Sequence, residues 1–136
     1  MLYVRGSSSA VFSTQSCNNG AQLSGTVTAN ASAEELWDQV DVLLSMASSV
    51  TTGAPWVLYL IPHTADDATA GDAITPPSAI YMVASWPANT GTSAQHLTAH
   101  GISLPPGNFT YILYNNTGQN ATASSVTLNR RPYHVA

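Results

Sequence analysis

The chain has 136 residues, 44% of them hydrophobic and 7% charged, with a formal net charge of -4. That is enough apolar material for one core without a metal or disulfide, and the balance is opposite to that of a disordered chain. Its three cations are all arginines, Arg5, Arg130 and Arg131, which argues against nucleic acid, and no apolar run approaches the roughly 18 residues of a membrane span.

Short apolar segments follow one another, most of them separated by Gly, Pro, Asn and Asp. In chain order they are Leu2–Arg5, Ala10–Thr14, Leu23–Ala29, Val40–Ala47, Trp56–Ile61, Ala79–Trp86, Ala94–His100, Asn108–Tyr114 and Ser124–Arg130. Such spacing predicts one all-β domain over residues 1–136, an antiparallel β-sandwich or barrel of about eight strands. The segment Ser32–Ala47 reads two ways. Ser32 with Glu35 has the pattern of a capping box, and Leu36, Val40, Leu43 and Ala47 share a helical face. Val40, Val42, Leu44 and Met46 instead alternate with a period of two and start with β-branched residues. A strand over Val40–Met46 is the expectation, with at most a short helical turn at Ala33–Trp37.

The stretch Ser103–Gln119 is bounded by turn chemistry at both ends. Pro106 and Gly107 suit the two central positions of a type II turn. Phe109, Tyr111 and Leu113 then project to one face, the expected core, and Thr110, Ile112 and Tyr114 to the other. Asn115 to Gly118 form the next turn, so Ser124–Arg130 is expected to pair back on Asn108–Tyr114. The outward Ile112 and Tyr114 leave two readings: another segment of the chain covers them, or a second subunit does.

Residues with chemical potential are few. Cys17 is alone in a polar context and reads as a bystander thiol. His96 and His100 would share a helical face, but on a strand they lie about 13 Å apart, too far to hold one ion. Asp66, Asp67 and Asp72 lack the alternation and closing Glu of a calcium loop, so they read as an exposed acidic loop. Glu34, Glu35, Asp38 and Asp41 need mean only a solvated face. Neither a G-x-S-x-G elbow nor a phosphate-binding glycine loop occurs. Asn30, Asn108, Asn115 and Asn120 stand in glycosylation triplets, but the start MLYVRGSSSA does not have the pattern of a signal peptide, so they read as composition. Trp37, Trp56 and Trp86 border predicted strands and are expected in the core or at its rim. These features predict no enzyme, no cofactor and no metal.

The segments YVRGSS, VLYLIP, PPSAIYMVASWP, ISLPPGNFTYILYNNTGQ and LNRRPY occur in that order. Together they resemble the small jelly-roll capsid decoration, or cement, proteins of tailed bacteriophages. The resemblance covers most of the chain and is strongest from Trp56 onward. It implies a jelly-roll sandwich that oligomerises and sits on the outer surface of the virion, bridging major capsid proteins after synthesis in the host cytoplasm. For a self-complementary patch such as Ile112 with Tyr114, a dimer is the commonest assembly. Arg5, Arg130 and Arg131 would form one basic spot with Tyr133 if the terminal strands are neighbours, offering a contact to capsid carboxylates. Pro132 is expected to end the last strand and free the sequence YHVA. The rival from another class is a glycan-binding sandwich of a fibre or adhesin, with Trp56, Trp86 or Tyr114 stacking on sugar. A small hydrolase has the least support.

Overall fold

In Trp37–Leu44 every second residue, Asp38, Val40, Val42 and Leu44, is buried and the residues between them are not. That alternation decides the ambiguous segment in favour of a strand, because a helix would bury residues three and four apart. A computed structural model of the chain describes residues 2–30, 35–50, 54–63 and 75–135. Of the helical turn expected at Ala33–Trp37, residues 33 and 34 lie outside the described residues, and Trp37 opens the strand.

The strands are β1 (Tyr3–Arg5), β2 (Ser9–Gln15), β3 (Gln22–Ser24), β4 (Thr28–Ala29), β5 (Trp37–Leu44), β6 (Pro55–Pro62), β7 (Met82–Pro87), β8 (Gln95–Ser103), β9 (Asn108–Asn115) and β10 (Val126–Val135). A 3-10 turn, Ala79–Tyr81, takes the place expected for the start of a strand. The segment expected as Leu23–Ala29 is two strands, because the chain leaves the ladder between Ser24 and Thr28.

Among the described residues all strand pairings are antiparallel, and they are nested. β1 and β2 share one side of β10, β3 and β4 share one side of β9, β5 pairs with β8, and β6 with β7. The first strands thus meet the last, the next meet the last but one, and so inward. With β10 also on β5 and β9 also on β6, this gives two five-stranded sheets packed as a sandwich. Ten strands fill eight positions, and the nesting is that of a jelly roll.

Between the sheets Trp56, Leu58, Phe109, Tyr111 and Leu113 from one side meet Val40, Val42, Val126 and Leu128 from the other, each fully buried. Phe109, Tyr111 and Leu113 form the inner face of β9 as their alternation predicts. The expected pairing of Ser124–Arg130 with Asn108–Tyr114 does not occur. Both sides of β9 are already occupied, and the chain between residues 115 and 126 crosses to the other sheet, held midway by a bridge between Met46 and Ala121.

Nor does Pro132 end the last strand. The Pro132 carbonyl accepts from the Gly6 N–H at 2.8 Å, so its missing N–H falls on the side where β1 has ended and β2 has not begun. A Cβ at Gly6 would lie 2.8 Å from the Pro132 ring, which explains the glycine after Arg5. The turn at Pro106–Gly107 is not type II, since Gly107 is not among the positive-φ glycines. Asn30 organises that turn: its backbone N–H donates to the Gly107 carbonyl, and its buried side chain donates to the Pro105 and Glu35 carbonyls.

Candidate functional site

On β10, Val126, Leu128 and Arg130 are all buried, so Arg130 points into the sandwich. Its Nε donates to Asp38 Oδ2 at 2.8 Å, and its Nη2 donates to Asp38 Oδ1 at 2.9 Å and to Glu35 Oε2 at 2.8 Å. Tyr111, from the facing sheet, donates its hydroxyl to Asp38 Oδ2 at 2.6 Å, and the guanidinium lies over the Phe109 ring. Burial, with Asp38 beside it, pushes the Tyr111 hydroxyl well above the usual tyrosine range, so it remains a donor. Burial lowers the Arg130 value, but its hydrogen bonds to Asp38 and Glu35 outweigh that and raise it above the ordinary value. This is a polar clamp between the two sheets. Arg130 therefore leaves the surface contact set read from the sequence, and Asp38, read as part of a solvated face, is fully buried.

The outer face of the same sheet carries the rest of that set. Arg5 on β1 faces Tyr133 on β10, and Tyr133 faces Trp37 on β5, so the terminal strands are neighbours as the contact requires. Arg5 lies over the Tyr133 ring at 5.9 Å, and Tyr3 packs edge-on against Trp37 at 5.8 Å. Tyr133 donates its hydroxyl to Gln39 Oε1 at 2.7 Å, fixing the ring. Opposite Gln39 the β8 strand bulges: Ala99 pairs with Val40 and Ile102 with Asp38, leaving His100 and Gly101 against a single residue. Gly101 takes φ +67°, which a side chain would oppose, and the bulge leaves His100 exposed at this corner. Tyr3, Trp37, His100, Gly101 and Tyr133 enclose a concavity of about 210 Å³. Arg131 stands half-buried on the same face, in register with Gln39. Among the described residues neither Arg5 nor Arg131 has an acidic partner.

On the outer face of the other sheet Ile112 is only 2% exposed, packed with Val57, Tyr59 and Ile61, and Tyr81 and Tyr114 lie against that cluster. The chain itself covers Ile112, so it is not a free subunit contact, and Tyr114 is half-buried beside it. The exposed apolar surface lies next to it instead. Ile80, in the 3-10 turn, is 80% exposed, and at the start of β7, the edge strand of its sheet, Met82 is 50% and Val83 37% exposed. Ile80, Tyr81 and Val83 border a groove floored by Leu60, Leu104 and Pro105. Sequence reasoning missed this strip because it takes Ala79–Trp86 as one more strand segment, without saying which of its residues stay exposed.

Other candidates hold little chemistry. Trp56 is fully buried, and Trp86 is half-buried against the core, with its Nε1 donating to the Thr98 carbonyl at 2.9 Å, so neither offers the free stacking face that the glycan reading expects. His96 lies 3.5 Å from Asp41, and His100 lines the aromatic concavity. Among the described residues no group of three His, Cys, Asp or Glu could hold a metal ion, while Asp66, Asp67 and Asp72 lie outside them. Cys17 is buried, and burial pushes its thiol up to about 11. No helix among the described residues is long and apolar enough to cross a membrane. Compared with known protein families and with curated proteins, the chain matches none.

Proposed function

We propose that this chain is a capsid decoration protein of a tailed bacteriophage, which binds the outer surface of the head and stabilises contacts between major capsid proteins. The resemblance of its strand-and-turn segments brings this reading, and the jelly-roll sandwich is the fold that the reading needs. The observation that supports it best is the groove bordered by the exposed Ile80 and Val83, with Met82 exposed beside them. Large apolar side chains grouped at a sheet edge mark a protein contact more often than solvent. On a chain with so few charges, attachment rests on apolar fit repeated over many copies rather than on ion pairs, so modest single contacts suffice. The basic contact read from the sequence loses its buried fork at Arg130, and the apolar strip takes its place as the attachment surface. Such a role requires no catalytic group or cofactor. Its partners are the major capsid protein and further copies of itself on the head, and its place is the virion exterior.

The test is co-sedimentation with shells assembled from the major capsid protein of the same phage. Saturable binding at a fixed ratio to capsid subunits is expected. Shells that pellet free of the protein at micromolar concentration contradict the proposal.

A further inference from the structure

We propose that the bulged aromatic corner built from Tyr3, Arg5, Trp37, His100 and Tyr133 is a binding site for a saccharide that carries a carboxylate group. It lies on the outer face of the sheet formed around β10, apart from the apolar strip on the other sheet, and so goes beyond the decoration role.

Shape sets the size of the ligand. Drug-sized pockets span roughly 300–1,000 Å³. The present concavity is about 210 Å³ and shallow, enough for one sugar ring with its neighbours left in solvent. Wall chemistry sets the kind of ring. Tyr3, Trp37 and Tyr133 present aromatic surface that suits the C–H face of a pyranose, while their polar ends stay wet. Tyr133 is held in place by Gln39, and Trp37 by the edge of Tyr3, so the platform is formed before a ligand arrives.

Charge sets the substituent. Three aromatic rings could also cage a quaternary ammonium, but a cation would meet Arg5 over Tyr133 and no carboxylate lines the corner. Arg5 is exposed and has no acidic partner among the described residues, so its fork is available to a carboxylate. His100, brought to the rim by the bulge, adds a ring nitrogen for a hydroxyl. A polyanionic nucleic acid needs many cations along its path, and this face offers two arginines.

The test is calorimetric titration of the whole chain with 3′-sialyllactose and with trigalacturonate, against lactose as the neutral counterpart. Tyr3→Ala and Arg5→Gln are the variants, since both side chains are exposed and neither contributes to the core. Binding of at least one acidic sugar is expected, weakened tenfold or more by each variant at an unchanged melting temperature, with lactose weaker than its sialylated form. Saturable shell binding by both variants is expected to equal that of the wild type. The proposal is overturned if neither acidic sugar binds at millimolar concentration, if lactose binds as tightly, or if both variants bind sugar normally. It is also overturned if the variants lose capsid binding instead, which would make the corner a protein contact.

Discussion

Arg130 and Asp38 meet inside the sandwich through two parallel hydrogen bonds, Nε to Oδ2 at 2.8 Å and Nη2 to Oδ1 at 2.9 Å. They come from neighbouring strands, and Tyr111 joins the pair from the opposite sheet. Desolvating two charges offsets much of their attraction, so the intact pair adds little net stability. Removing one partner is another matter, because the other is left buried and unpaired. Asp38→Asn or Arg130→Gln is expected to cost about 3–5 kcal/mol in urea denaturation, while the triple change Asp38→Leu, Arg130→Met and Tyr111→Phe, which also removes the Tyr111 hydroxyl, recovers most of it. Single variants as stable as the wild type would contradict the clamp.

Ile112 sits in a satellite cluster under its own chain rather than at a subunit boundary. Replacing Ile112 with Ala is expected to cost about 2 kcal/mol or more. Sedimentation velocity should show the same species for this variant and the wild type. A shift from oligomer to monomer at unchanged stability would restore the subunit contact.

Legibility followed locality. Alternation within Asn108–Tyr114 places Phe109, Tyr111 and Leu113 in the core correctly, because a strand buried on one face writes its period directly into the chain. The same rule applied to Val126, Leu128 and Arg130 puts the arginine inside. What obscured it was the habit of treating charge as surface, and Asp38, its partner, lies 92 residues away. The partner of β10 was misread for a related reason: a hairpin is the local choice, while a jelly roll closes its chain through distant pairs. At the aromatic corner Arg5 and Tyr133 were legible as neighbours, whereas Tyr3, Trp37 and His100 join them only through the strand order and a bulge that leaves no clear pattern in the sequence beyond Gly101.

Cys17 gives a pH signature. Burial raises its thiol from an ordinary 9.0 to about 11, with the Asn115 backbone hydrogen bond opposing the shift. The folded value is above the unfolded one, so this contribution to stability is complete below about pH 9 and is lost as pH rises toward 11. Tyr59 and Tyr111, also raised by burial from 10.0, add to the loss at higher pH. Urea melts should therefore show stability level to about pH 8.5 and declining above 9, and Cys17→Ala should decline less steeply between 9 and 10. Rapid reaction of the native thiol with a disulfide reagent at pH 8 would show instead that Cys17 is accessible.

The apolar strip yields a surface prediction. Ile80→Ser with Val83→Ser removes exposed apolar area without touching the core, so the melting temperature should stay within a few degrees of the wild type. Binding to capsid shells should weaken at least tenfold, and raising the salt concentration should restore none of it. Equal decoration by this variant would place the attachment surface elsewhere.

The most direct measurement of the decoration role is a reconstruction of shells incubated with the wild-type protein. Added density is expected on the outer surface at a repeating position, shaped as one jelly-roll sandwich per copy, with Ile80 and Val83 against the capsid and the Tyr3–Trp37 corner facing solvent. Shells that carry no added density at saturating protein would contradict it.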